Sequence, residues 1–266
     1  MEEVITSRSN ARIKWARAVR EGQHADLVWA EGPRLLQDAL ASGWQVELLL
    51  LQVRSAADAP RALSGWQGEI RHLPTLRINP DVMACLADTV TSQGCAAVLR
   101  RPPEVVLEPG LKRFLVLDRV QDPGNVGTLL RSAEAAGVQA VLLLEGCADP
   151  FGPKALRASM GAALRLPLRQ NLTWAQAKAL LPKQTCRLAA CMQGHQDHDA
   201  LPWPGHWALV LGHEGQGVDA AILADCPVRV AVAMEGRVES LNVAAAGAVL
   251  MFEAARQRRR QTHQQA

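Results

Sequence analysis

The chain has 266 residues, with 29 basic and 26 acidic side chains, a formal net charge of +3, 48% hydrophobic residues and 21% charged ones. That length provides one large domain or two modest ones with a real core, and the composition excludes a disordered chain. No apolar run approaches the ~20 residues of a membrane helix, and the opening MEEVITSRSNAR is too polar and acidic for a secretory leader, so a cytoplasmic protein with no membrane association is expected.

Residues 1–20 carry Arg8, Arg12, Lys14, Arg17 and Arg20 against two acids, and the Ser and Asn caps of SRSNARIKWARAVR open a helix. LVWAEG reads as a short strand, PRLLQDALASG as a helix begun by Pro33 and ended at Gly43, and VELLLLQV as a buried strand. RALSGWQGEIRHLP continues the alternation weakly, and GCAAVLR is another strand. A small α/β layer over residues 1–100 is the natural outcome. Paired prolines, a glycine and two acids in RRPPEVVLEPG end it, placing a linker at 101–110 and a second domain at 111–266.

The second domain alternates more regularly. Strand FLVLD leads to helix NVGTLLRSAEAAG, and AVLLLEG leads to PKALRASMG. LRLPLR and helix WAQAKALL follow, then strand CRLAACM and a polar loop. Strand HWALVLG, a glycine-rich turn and a short helix precede strand VRVAVAM and the long final helix LNVAAAGAVLMFEAARQ. Nearly continuous apolar strands interleaved with helices predict a parallel sheet covered on both faces, with ligands at the carboxyl edge. Residues 254–266 add four arginines and no acid. The two ends therefore carry +3 and +4 and the middle −4, a layout suited either to a polyanion or to solvated surface. Six cysteines are scattered without a Cys-x-x-Cys pair; Cys191, His195 and His198 lack a fourth ligand, and no metal is expected.

Three loops at that edge are unusual. In Asp118-Arg-Val-Gln-Asp-Pro-Gly-Asn125-Val-Gly127-Thr-Leu-Leu-Arg131, Asn125 reads as a helix cap and Arg131 as a phosphate grip one turn beyond Gly127. Gly212-His213-Glu214-Gly215-Gln-Gly217 is neither a dinucleotide fingerprint nor a Walker loop, and Glu214 would repel a bare phosphate. In the third, a strand runs to Met234, turns at Gly236 and re-enters a helix at Ser240 and Asn242. Val232, Met234 and Leu241 supply an apolar slot whose backbone suits an adenine edge.

Taken together, Asn-x-Gly-x-x-x-Arg, Gly-x-Glu-Gly-x-Gly and Met-x-Gly-x-x-x-Ser-Leu-Asn-Val resemble the SpoU/TrmH family of RNA 2′-O-ribose methyltransferases, within the SPOUT superfamily. Pro153-Lys-Ala-Leu-Arg157-Ala-Ser159-Met-Gly161 resembles a further family signature. Ser7-Arg-Ser-Asn10-Ala-Arg-Ile-Lys14, Glu31-Gly32 and Thr91-Ser-Gln93-Gly94 resemble the ribosomal-protein-like RNA-binding domain that many members carry. Two positions depart: Ala233 stands where relatives place proline, and His213 where they place a small residue, read here as filling space.

The resemblance implies a parallel-sheet α/β methyltransferase domain tied in a trefoil knot. It implies S-adenosylmethionine held by Gly212, Val232, Met234 and Leu241. Arg131 would hold the target phosphate and assist deprotonation, with Asn125, Glu214, Ser240 and Asn242 ordering the acceptor. Arg8, Arg12 and Lys14 would bind RNA, and the third loop and final helix would form a homodimer contact. Methyl transfer to a ribose of structured RNA, ribosomal rather than transfer RNA, is the expected activity. A non-catalytic RNA-binding or assembly factor and an RNA base methyltransferase are the alternatives.

Overall fold

The computed structural model describes residues 4–53, 70–88, 92–192 and 196–265, with side chains as far as residue 261. Thr91, His195 and the first nine residues of RALSGWQGEIRHLP lie outside the described residues. The chain divides into two compact units, Met1–Pro103 with Phe151–Arg157, and Glu104–Pro150 with Ala158–Ala266.

The first unit runs α1 (Ala11–Arg20), β1 (Leu27–Glu31), α2 (Pro33–Ala41), β2 (Val46–Gln52), β3 (Thr75–Ile78), α3 (Pro80–Leu86) and β4 (Cys95–Arg100). Its sheet has the order β1-β4-β2-β3, with β4 antiparallel to both neighbours and β3 parallel to β2. Asn10 caps α1 by accepting from the Arg12 N–H at 2.9 Å. Ile13, Ala16 and Val19, three residues apart, then share the face that packs on Trp29, Leu48, Leu50 and Met83. β3 and α3 have no counterpart among the elements expected from the sequence. The signal for α3 was Asn79-Pro80: Asn79 accepts from the Val82 N–H at 2.9 Å, and proline fills the first helical position, where no amide is needed.

From residue 113 the elements are β5 (Arg113–Leu117), α4 (Pro123–Ala136), β6 (Ala140–Leu144), α5 (Pro153–Ser159), α6 (Ala162–Arg165) and β7 (Leu168–Leu172). Then come α7 (Trp174–Leu180), β8 (Cys186–Ala190), β9 (Gln196–Asp197), β10 (Trp207–Leu211), α8 (Ala220–Asp225), β11 (Val228–Ala231) and α9 (Val243–Gln265). The seven-stranded sheet, ordered β7-β6-β5-β10-β8-β11-β9, is parallel throughout.

Alternation along each strand sends Phe114, Val116, Leu142, Ala208 and Val210 to one face, packed with Ala177 of α7 and Ile222 of α8. Leu115, Leu117, Leu209 and Leu211 point the other way, where Leu211 lies with Leu129 of α4 beside Gly247 of α9. Both faces are covered, so these strands are apolar throughout. Gly247 lets α9 settle: a Cβ there would lie 2.5 Å from Leu129 Cδ2 and 2.6 Å from Leu211 Cδ1.

Two boundaries differ from expectation. α4 is capped by Asp122, whose Oδ1 accepts from the Asn125 N–H at 3.0 Å, so Asn125 lies inside the first turn with its side chain free for other partners. β11 ends at Ala231 rather than Met234, because its ladder with β8 stops at Val230 and its partner β9 is two residues long. Neighbouring β5 and β10 send their chains in opposite directions, β5 towards β6 and β10 towards β11 across β8. The crevice at their carboxyl ends is a topological switch point, where such sheets place ligands.

Candidate active site

A directional chain of side chains joins the three loops at this edge. Asn242 Nδ2 donates to Asn125 Oδ1 at 3.0 Å, and Asn125 Nδ2 donates to Glu214 Oε1 at 3.0 Å. Glu214 also accepts from the backbone N–H groups of Asp122 (3.3 Å) and Gln121 (3.5 Å), at the amino end of α4 where the helix dipole favours a carboxylate. An ionised Glu214 only accepts, so it fixes which end of the Asn125 amide faces it, and hence that Asn242 must donate. Burial works to raise the Glu214 carboxyl, but the Asn125 amide and the backbone N–H groups outweigh it and hold the group below its ordinary range. At its other end Asn242 caps α9, its Oδ1 accepting from the N–H groups of Ala244 (2.9 Å) and Ala245 (3.3 Å).

The glycine-rich turn after β10 is tight. A Cβ on Gly212 would lie 2.2 Å from the backbone of Gly217 and Val218. His213 and Gly217 exchange both backbone hydrogen bonds, at 3.0 and 2.8 Å. His213 does more than fill space: its Nδ1 accepts from the N–H groups of Gly215 (2.9 Å) and Gln216 (3.2 Å), closing the turn.

Residues 232–241 form an open loop between β11 and α9, and none of their peptide groups makes a backbone hydrogen bond among the described residues. Met234 is 37% exposed, Leu241 38% and Val238 61%, while Val232 is half-buried. Apolar side chains beside unpaired peptide groups are the combination that a planar heterocycle can satisfy. The Ser240 hydroxyl lies in this loop, exposed and outside the Asn242–Asn125–Glu214 chain.

Arg131 lies on the solvent stripe of α4 with Thr128 and Ala135, six residues and about 9 Å of helix axis beyond Asn125. It is therefore placed to meet something outside the chain. Arg8, Arg12 and Lys14 are likewise exposed. Four of the other terminal cations are engaged structurally, so the charge counted at the two ends overstates what is available to a polyanion. Arg20 donates to the carbonyls of Cys85, Leu86 and Ala87 at the end of α3, and Arg17 to Cys85 Sγ at 3.2 Å. Arg256 forks Glu253, and Arg258 donates to the Ala136 carbonyl at 3.1 Å, leaving Arg259 and Arg260 exposed. Among the described residues no group of three or more His, Cys, Asp or Glu could hold a metal.

Residues 112–252, which contain all three loops, match the SpoU rRNA Methylase family. The chain belongs to this family. Residues 10–97 match the MRM3-like substrate binding domain. The SpoU chain is 32% identical to the 23S rRNA (guanosine(2553)-2'-O)-methyltransferase RlmP of Bacillus subtilis, over 93% of its own length and 97% of the relative's. Among solved structures, it resembles an AdoMet-bound rRNA methyltransferase from Sinorhizobium meliloti, with a TM-score of 0.81, 26% identity and coverage of 96% and 97% of the two chains. It also resembles the SpoU methyltransferase AviRb of Streptomyces viridochromogenes in complex with AdoMet, with a TM-score of 0.80, 25% identity and coverage of 94% and 98%.

Within this SpoU domain, Asp118 and Arg119 hold a place in the site that their sequence context does not announce. Asp118 is buried and accepts from Arg119 Nε (2.9 Å) and Nη2 (3.0 Å) and from the Asp219 N–H (2.8 Å). A charged pair directly after a buried strand was the available signal, because a carboxylate there needs partners.

Proposed function

We infer that the protein transfers a methyl group from S-adenosylmethionine to a ribose 2′-hydroxyl of ribosomal RNA. The observation that carries this reading is the Asn242–Asn125–Glu214 chain, which ties three loops together at the switch point of a SpoU-family sheet. The S. meliloti and S. viridochromogenes structures bound to AdoMet, and the B. subtilis relative named for 2'-O-methylation of 23S rRNA, support the choice of cofactor and substrate.

The residues fit the cofactor. Unpaired peptide groups of residues 232–241, with Val232, Met234 and Leu241, would hold its adenine, and Gly212 would let the β10 loop turn tightly beside it. When bound, S-adenosylmethionine supplies an electrophilic methyl on a sulfonium centre. The protein's own contribution is alignment, which can be worth ~7–11 kcal/mol of such a barrier. Asn125, Glu214 and Asn242 would keep the loops in register around the acceptor ribose, with Ser240 at the acceptor side. Arg131, exposed on α4, would grip the phosphate of the target nucleotide and lower the cost of forming the alkoxide through its positive charge.

In the first unit, exposed Arg8, Arg12 and Lys14 would provide a salt-dependent hold on RNA, and the 2′-hydroxyl would distinguish RNA from DNA. A homodimer completes the proposal: Val249 and Phe252 of α9 are exposed apolar residues on one helical face, a surface that a second copy would cover. The cytoplasmic location is proposed from the ribosomal substrate alone. The test offers the protein unmodified ribosomal RNA and unmodified transfer RNA separately, with labelled S-adenosylmethionine. Label in the ribosomal RNA is expected. Label confined to transfer RNA would overturn the substrate assignment, and no cofactor binding by calorimetry would overturn the enzyme reading.

A further inference from the structure

The glycine-rich turn that carries Glu214 is anchored by residues of the β5 loop at several places. At its start, the Asp118 N–H donates to the Leu211 carbonyl at 2.8 Å. At its end, the Asp118 carboxylate accepts from the Asp219 N–H at 2.8 Å, and Asp219 is itself the cap of α8. At its flank, Arg119 Nη1 donates to Gln216 Oε1 at 3.4 Å, and Arg119 Nη2 lies 3.9 Å from the Asp219 carboxylate. Only then does the tip reach back, through Glu214, to Asn125 and the amides before α4.

Asp118 is 3% exposed, so its charge needs compensation, and the Arg119 fork supplies it. Arg119 does so from a left-handed backbone (φ 54°), a conformation that glycine or asparagine adopts more easily. The neighbouring Gly146 leaves the space its stem needs, since a Cβ there would lie 3.1 Å from Arg119 Cγ. An arginine held in a glycine-like conformation, with a glycine opposite making room, points to a task for the side chain that the backbone alone does not need.

We propose that Asp118 and Arg119 are a positioning pair, a latch that fixes the glycine-rich turn against the β5 loop and so sets where Glu214 holds Asn125 for the reaction. The pair touches neither cofactor nor acceptor in this scheme; it acts through Glu214. The catalytic consequence rests on the proposed methyltransferase reading, whereas the latch itself does not.

Arg119→Gly is the informative variant, because glycine relieves the backbone while removing the fork, so the fold should survive. Asp118→Asn removes the charge at nearly constant shape, and Arg119→Lys keeps a charge without the fork. Two readouts are taken on the full chain: amide exchange over residues 212–219, and single-turnover methyl transfer with KM for RNA. The latch predicts roughly tenfold faster exchange over 212–219 in Arg119→Gly, in excess of any change in the strands of the sheet, with a lowered thermal midpoint because the buried Asp118 carboxylate loses its partner. It also predicts a methyl-transfer rate reduced about 10- to 100-fold at an unchanged KM, measured below the variant's lowered thermal midpoint, with partial recovery in Arg119→Lys. Wild-type exchange in both Arg119→Gly and Asp118→Asn would overturn the latch. Faster exchange with a wild-type rate would overturn its role in the reaction. If the wild-type enzyme itself transferred no methyl group, the methyltransferase reading would fail, and the exchange data would still decide the latch.

Discussion

Asn242 holds two structures together with one amide, and its two ends can be separated by substitution. Its Oδ1 caps α9, and its Nδ2 donates to Asn125. Asn242→Ala loses both. A lost cap costs ~1 kcal/mol and a lost neutral hydrogen bond about as much again, so roughly 2 kcal/mol in all. At the ~2–4 °C per kcal/mol appropriate to a chain of this size, the thermal midpoint should fall by about 4–8 °C. Asn242→Asp keeps an oxygen for the cap and adds a charge that the amino end of a helix favours. It has no N–H to offer Asn125, and Asn125 cannot turn round to donate to it without aiming its oxygen at Glu214. The midpoint should therefore fall by only about 2–4 °C, from the one lost bond. Methyl transfer should drop at least about tenfold in both variants, because loop register is lost in both. The assay pairs differential scanning calorimetry with methyl transfer on the same preparations. If Asn242→Asp were less stable than Asn242→Ala, or kept wild-type activity, the directional chain would be wrong.

Gly212→Ala places a methyl group 2.2 Å from the Gly217–Val218 backbone, which cannot yield as a side chain can. Destabilisation of about 1–3 kcal/mol and loss of cofactor binding are expected by calorimetry, and a variant binding normally would remove Gly212 from the site. Replacing Arg8, Arg12 and Lys14 together with glutamine should weaken RNA binding and lower the slope of log affinity against log salt by roughly 2 to 3, with cofactor affinity unchanged. An equal fall in cofactor affinity would refute a separate RNA-binding role. Glu253 is held at about 2 by the Arg256 fork, with help from Gln257 and against burial, below its ordinary 4.5. A lowered folded value means that its contribution is complete above about 4.5 and is lost as pH falls towards about 2. Thermal midpoints of Glu253→Gln should accordingly fall less steeply than wild type over that window, and identical acid limbs would contradict the pairing.

Much of the framework was legible because it is local. The apolar runs FLVL, AVLLL and WALVL had one stable destination, a sheet covered on both faces, and they became β5, β6 and β10. The start of α4 was misread by a few residues because Asp122 and Asn125 are both good caps, and Pro123 at the first helical position decides for Asp122. β11 was read too long because Val232 and Met234 look like strand residues; what they lack is a neighbouring strand, which only the sheet order reveals. The same limit hid the task of Asp118, whose partner Asp219 is 101 residues away, whereas His213 bonds amides of its own turn and its task depends on how tightly that turn closes. Charge misled in a related way. Arg17, Arg20, Arg256 and Arg258 count towards a basic surface in the sequence, yet each closes a helix end or an internal contact. Side-chain identity sets what a residue can bond, and tertiary placement sets what it does bond.

The most direct test is the position of the transferred methyl group. Unmodified ribosomal RNA is incubated with labelled S-adenosylmethionine and either wild type or Arg131→Ala, then hydrolysed in alkali, which cannot cleave next to a 2′-O-methylated ribose. Wild type should leave the label in an alkali-resistant dinucleotide, and Arg131→Ala, whose side chain is exposed and absent from the internal hydrogen-bond chain, should leave none while keeping its thermal midpoint. Label recovered on a base in ordinary mononucleotides, or undiminished ribose label with Arg131→Ala, would contradict ribose methylation through this site.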